Sequence, residues 1–174
     1  MNLTRTIAKS ILASLLMVFM GTTTANAQAS PAATATGKVG EATITITYSS
    51  PSVKGREIWG GLVPYDKVWR AGANKATIFE TDKEITLEGN KLPAGKYSFY
   101  ALPGEKEWKI FLNSETGQWG VQRSGESTRN PDKDVLAVTV KSAKSAMNES
   151  LVYEITEKGV SLKWELLEIP LSIK

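Results

Sequence analysis

Thr43-Ile44-Thr45-Ile46-Thr47-Tyr48 decides the fold. Ile44, Ile46 and Tyr48 fall on one side of an extended chain and three threonines on the other. Such alternation of β-branched residues describes a strand with one wet and one buried face. The same period recurs outward from it. Ala76 to Thr81 and Glu84 to Glu88 carry it, the latter with Ile85 and Leu87 inward. Gly89-Asn90 marks a turn, and Lys96 to Leu102 follows. Pro103-Gly104 turns the chain into Glu107 to Asn113, where Trp108, Ile110 and Leu112 share a face. Asp134 to Val140, Leu151 to Thr156 and Val160 to Leu167 complete the set. Ile169 to Ile173 reads as an edge strand, because Pro170 has no N–H to give a central ladder. Eight or nine short strands without a competing helical period predict an all-β protein, a single antiparallel β-sandwich, with a jelly roll as one compatible arrangement. Ser142 to Glu149 reads equally as a turn or two of helix or as a plain connection.

The beginning of the chain has a different character. Arg5 and Lys9 precede the apolar run Ile11 to Met20, and Ala25-Asn26-Ala27 supplies a small-x-small cleavage pattern. Ten apolar residues are too few to span a bilayer, which takes about twenty. Residues 1–27 therefore read as a cleaved signal peptide, with Ala27-Gln28-Ala29 as a second legal frame, and the protein as exported, periplasmic or secreted. Residues 28–39 are small and polar and read as a flexible leader before a single domain over 40–174. Cleavage takes 174 residues to 27 fewer, or 147, and with Arg5 and Lys9 gone the net charge falls from +3 to +1. A balance so near zero gives no footprint for nucleic acid, and no membrane-spanning segment is expected after the signal.

Histidine and cysteine are both absent. Without them, Ser-His-Asp and Cys-His catalysis have no parts, and zinc, copper and haem lack their usual ligands. No nucleophile motif or phosphate-binding glycine loop is found either. No cofactor, metal or catalytic residue is expected. Paired carboxylates are the one common catalytic device left, and Glu57, Asp66, Asp132 and Asp134 show no diagnostic spacing. Asn130-Pro131-Asp132-Lys133-Asp134 lacks the glycine and distal glutamate of a calcium loop and reads as a turn.

Two segments, 49–75 and 114–133, escape the strand pattern. Long irregular segments within a compact domain tend to be functional, and loops at one end of a sandwich can meet. The first contains Trp69-Arg70-Ala71-Gly72-Ala73-Asn74. Arg70 offers a planar fork of donors to a carboxylate, phosphate or sugar hydroxyl, and Asn74 offers both a donor and an acceptor. Against this stands a packing role, with Trp69 closing the sandwich and Arg70 paired to a strand acid. Arg56 and Tyr65 lie in the same segment, and Trp119 lies in the second. Lys54, Arg56, Lys67 and Arg70 form a basic set, with Glu57 and Asp66 close enough in sequence to neutralise it. Trp108 and Trp164 fall in phase with inward strand positions and belong to the core. The ligand-facing candidates are Arg56, Tyr65, Trp69, Arg70, Asn74 and Trp119.

Several short motifs occur in order: Pro51-Ser52-Val53-Lys54-Gly55-Arg56, Gly60-Gly61-Leu62-Val63-Pro64-Tyr65, Val68-Trp69-Arg70-Ala71-Gly72-Ala73-Asn74-Lys75-Ala76-Thr77, Leu92-Pro93-Ala94-Gly95-Lys96-Tyr97-Ser98 and Gly117-Gln118-Trp119-Gly120. Together they resemble the exported bacterial family of unknown function DUF2911, over nearly all of the chain after the signal. The resemblance implies an envelope or secreted protein, typical of Bacteroidetes-type bacteria, and supplies no activity. Asp66, Ala71 and Lys75 depart from the residues usual in that resemblance. The expectation is a non-catalytic protein that binds a small polar ligand, glycan or peptide, through loops 49–75 and 114–133. The alternative is a structural or interaction component of the envelope with packed loops, and a carboxylate hydrolase is a distant third.

Overall fold

The computed structural model describes residues 30–174, so the expected signal peptide lies outside the described residues. Ten strands follow in chain order: β1 (Ala32–Val39), β2 (Ala42–Ser49), β3 (Thr77–Thr81), β4 (Ile85–Leu87), β5 (Asn90–Leu92), β6 (Gly95–Leu102), β7 (Glu107–Asn113), β8 (Asp134–Lys141), β9 (Ala143–Thr156) and β10 (Gly159–Ser172). Pro131–Lys133 form a single 3₁₀ turn before β8. The alternation in β2 does what its residue types dictate: Ile44 and Ile46 are fully buried, and Thr43, Thr45 and Thr47 beside them are not.

One layer is a six-stranded antiparallel sheet in the order β1-β2-β3-β6-β7-β8. The other is the long β9–β10 hairpin, extended by the β4–β5 ribbon. That ribbon joins the end of β10 through the Leu87–Ile173 bridge and through reciprocal backbone bonds between Thr86 and Lys174 of 2.8 and 2.9 Å. The layers close over one core. Phe79, Phe99, Trp108 and Ile110 come from the first sheet, and Leu87, Leu92, Leu162 and Trp164 from the second. This is an all-β antiparallel sandwich. Its larger sheet is a meander, with neighbours consecutive in the chain except where β4–β5 leaves for the other layer. The jelly-roll arrangement, built on two Greek keys, is not the one used.

Two expectations about segments need correction. Residues 28–39 were expected to be a flexible leader, but Ala32–Val39 form β1, in register with β2 from Ala32–Ser49 to Val39–Ala42. The strand is made of alanine, threonine and glycine, which leave almost no hydrophobic signal. The two-residue turn Gly40-Glu41 closes the hairpin, and Gly40 supplies the positive φ of 58° that such turns demand. Gly37 is there for contact: a Cβ on it would lie 2.7 Å from Ile155 Cγ2 of β9. Likewise the Ser142 to Glu149 stretch is neither helix nor plain connection, since β9 begins at Ala143 and pairs through Glu168–Ala143 with β10, which leaves Ser142 alone as the link from β8. Pro170 then falls where β10 has run past its partner, so its missing N–H is not needed.

Tyr153 of β9 ties the layers to the first loop. Its ring meets Tyr48 edge-on at 4.8 Å and Phe99 at 5.8 Å, and its hydroxyl donates to the Ala71 carbonyl at 2.8 Å. Complete burial pushes this phenol well above its ordinary pKa. The unfolded chain releases the proton near pH 10 while the folded chain keeps it. The stability is therefore whole below that pH and is lost as pH rises above it, at up to about 1.4 kcal/mol per pH unit. In urea titrations from pH 7 to 11, Tyr153→Phe should flatten this alkaline decline. At neutral pH it should cost about 1 kcal/mol, because Thr77 Oγ1 still serves the Ala71 carbonyl at 2.9 Å. An unchanged alkaline slope would show that this phenol is not held neutral.

A candidate ligand cleft

The segment between β2 and β3 divides its residues between two tasks. Val53, Ile58, Val63 and Ala71 are buried in the core and close the sandwich end. The 69–74 stretch is pinned on every side. Trp69 and Ala101 exchange backbone hydrogen bonds of 2.7 and 2.9 Å, and Trp69 Nε1 donates to the Gly72 carbonyl at 3.1 Å. Ala73 N donates to Ser49 O, and Thr77 N to Arg70 O. Ala71 and Asn74 hold positive φ values of 52° and 59°. For a non-glycine residue such values persist only where surrounding contacts over-determine them, as they do here.

Four tryptophans meet beneath this loop. Trp69 stacks on Trp164, with centroids 6.0 Å apart and planes 19° apart, and Trp59 meets Trp69, Trp108 and Trp164 edge-on at 5.0 to 6.0 Å. Each such pair adds roughly 0.5–1.5 kcal/mol beyond area burial. The indole N–H groups of Trp59, Trp108 and Trp164 are buried without a hydrogen-bond partner among the described residues.

A break in the second layer brings Trp164 to the cleft. The β9–β10 register runs from Thr156–Gly159 to Val152–Lys163, then resumes at Asn148–Glu165. Over the skipped residues β9 turns to the first loop instead: Leu151 N donates to Pro51 O, Val53 N to Glu149 O, and Ser52 bridges Ser150. Glu165 takes a φ of 53° as β10 bends around the irregularity. Bulges of this kind recur beside functional sites because they re-aim a side chain.

The second loop forms the opposing wall. Val121 and Ser127 bridge a tight hairpin, closed by Gln122 N to Glu126 O at 2.7 Å, with Gly125 at φ 88°. Between the two loops lies a cleft of about 840 Å³. Its lining includes Arg56, Lys67, Trp69, Arg70 and Trp164 on one side and Ser124, Glu126 and Ser127 on the other. Glu126 is the one acid among the lining residues, whereas Glu57 and Asp66 lie outside the cleft.

Arg70 is half-buried, and burial draws its pKa down from the ordinary guanidinium value. Nη1 donates to the Trp119 carbonyl at 3.3 Å, and Cζ lies 5.9 Å from the Trp119 ring centroid. Among the described residues no carboxylate comes within ion-pair distance of it, and Nε and Nη2 have no hydrogen-bond partner. Gly120 makes this placement possible. It has φ 87°, and a Cβ there would lie 2.7 Å from Arg70 Cβ and 3.1 Å from Arg70 Cδ.

Of the six candidate residues, three line the cleft: Arg56, Trp69 and Arg70. Arg56 is exposed, and its guanidinium donates to the Val53 and Ser52 carbonyls of its own loop. Trp119 is 54% exposed and stands beside Arg70. Tyr65 packs against Gly60, and Asn74 donates to Ser30 O and Ser49 Oγ, both at 3.1 Å. Neither Tyr65 nor Asn74 lines the cleft. The hairpin residues Ser124, Glu126 and Ser127 were not singled out by sequence. The turn dipeptide Ser124-Gly125 was the available signal.

The strand-acid partner weighed for Arg70 belongs instead to Arg129. Arg129 forms a short ion pair with Asp134 at the start of β8, both side chains 14% exposed, and its guanidinium lies 3.7 Å over the Phe111 ring. Asn113 Nδ2 adds a bond of 2.8 Å to Asp134 and one of 2.7 Å to Asn130 O. Each loop thus carries one inward arginine, one neutralised and one not.

Fold and cleft together define a β-sandwich with a basic, tryptophan-lined recess between two loops. The chain matches the family model described as a protein of unknown function (DUF2911) over residues 30–173, and it belongs to that family. No curated protein and no solved structure matches it. Among the described residues no helix is long and apolar enough to cross a membrane.

Proposed function

We propose that this is an exported protein, periplasmic or secreted, that binds a small polar ligand, glycan or peptide, in the cleft between residues 49–75 and 114–133 without transforming it. The observation that carries the reading is Arg70: a half-buried cation in an open recess, with two donor positions facing no protein acceptor. Burying a charge is costly unless it is paired. A loop that served only to pack would give Arg70 the kind of partner that Arg129 has. Trp69 adds an aromatic face, and Ser124 and Ser127 add hydroxyls from the opposite wall. The lack of histidine and cysteine argues for recognition rather than catalysis.

A thermal-shift screen of the mature protein against envelope glycans, muropeptides and small acids tests this. A ligand at about 100 times its dissociation constant should add about 2.7 kcal/mol of stability, and Arg70→Ala should erase most of that shift. If no ligand moves the midpoint while Arg70→Ala alone destabilises the protein by several kcal/mol, the loop is a structural plug.

A further inference from the structure

Granting the binding reading above, the cleft also specifies what class of ligand it takes. We infer that the ligand carries a carboxylate or phosphate, and that this anionic group sits on the Nε–Nη2 edge of Arg70. Three features point the same way. The lining holds Arg56, Lys67 and Arg70 against Glu126 alone, so the recess is positive although the mature chain is nearly neutral. The Arg70 guanidinium has spent Nη1 on the Trp119 carbonyl, which fixes its plane and leaves the side-on pair of N–H groups unpartnered among the described residues. That pair matches the spacing of two oxygens on a planar carboxylate or a phosphate, the strongest hydrogen-bonding arrangement open to arginine.

The third feature is a comparison within the molecule. Arg129 engages Asp134 through Nε and Nη2, with Nε to Oδ1 at 3.0 Å. The protein therefore already uses that fork for a carboxylate in its second loop. In the first loop Arg70 lines the cleft, and the same fork has no partner among the described residues. A neutral ligand closing over Arg70 would strip its remaining water and return no charge, so it would be disfavoured relative to an anionic one. Trp164 adds an aromatic surface to the same lining.

Arginine Nε–Hε signals in a ¹⁵N-labelled mature protein give a direct test, with the Arg70 signal assigned by its loss in Arg70→Lys. The probes are sodium acetate, inorganic phosphate, glucuronate, glucose and a dipeptide with a free or amidated C-terminus. Acetate or phosphate should shift the Arg70 signal saturably. The Arg129 signal, already on Asp134, should stay still. Glucuronate should bind at least roughly tenfold tighter than glucose, as a charge-assisted bond implies, and the free dipeptide tighter than its amide if the natural source is a peptide. Arg70→Lys, which keeps the charge but not the fork, should weaken binding of every charged probe, and Arg70→Gln should remove most of the preference for the charged member of each pair, both with the fold intact by their dispersed spectra. If glucose or the amide moves cleft signals as strongly as its charged counterpart, the anionic assignment is wrong and the binding reading survives. If no probe moves Arg70 or its cleft neighbours, both are wrong.

Discussion

Asp134→Ala should lose about 3–5 kcal/mol of folding stability, because it leaves a nearly buried charge without its partner. The change leaves Arg129 nearly buried over Phe111 with no carboxylate, and takes from Asn113 one of its two acceptors. Asn113 itself is fully buried, so part of the penalty falls on an amide that water cannot reach. The loss belongs to a broken pair rather than to the pair's net worth. The double change Arg129→Met with Asp134→Leu should therefore recover most of it. Urea unfolding of Arg129→Met, Asp134→Leu and the double closes the cycle. A double variant no more stable than Asp134→Ala would show that the ion pair holds the second loop for reasons beyond charge compensation.

Gly120→Ala is expected to combine a loss of about 3 kcal/mol with a loss of ligand response. A φ of 87° is unfavourable for any residue with a Cβ, by roughly 1–2 kcal/mol. The new methyl would also meet Arg70 Cβ and Cδ and Ala76 Cβ at 2.7 to 3.2 Å, an overpacking that adds roughly 1–3 kcal/mol. The clash is with the root of the Arg70 side chain, so it can be relieved only by moving that side chain or the second loop. Either movement takes the guanidinium from the Trp119 carbonyl. A variant that loses stability but keeps the full thermal response to cleft ligands would separate Gly120 from the site. Crystallography of the variant would show which of the two elements gave way.

How much of this was legible depends on what each residue advertises. Ile44 and Ile46, Trp108 and Ile110, and Leu162 and Trp164 announce buried strand faces because a period of two in large side chains has no other stable use. β1 went unread because Ala33, Ala35 and Gly37 are small: they are chosen for close approach to β9, and close approach leaves no hydropathy to detect. The first half of β9 went unread for a related reason, since Lys144, Ala146 and Met147 face solvent and its order comes from pairing with β10. The two long loops were visible as interruptions, and their meeting at one end followed from the architecture. Which arginine would find an acid was not visible. Arg70 and Arg129 are the same residue type in similar company, and Asp134 is aimed at Arg129 by the register of β8 against Asn113 of β7. Asn74 advertised hydrogen-bonding capacity, and spends it on Ser30 O and Ser49 Oγ within its own fold while also tolerating a positive φ.

The bridge between Ser52 and Ser150 makes the cleft a non-local object. Ser50 Oγ reaches the Leu151 carbonyl across 101 positions, and Trp69 lies against Trp164 near the other end of the chain. Contacts of such separation raise the contact order and are paid for in loop-closure entropy before they return any stability. No stretch of the protein that stops short of β10 contains the whole recess. An unfinished or clipped chain could keep its hairpins and still offer nothing to a ligand. Under the binding proposed above, recognition would double as a check that the chain has reached β10.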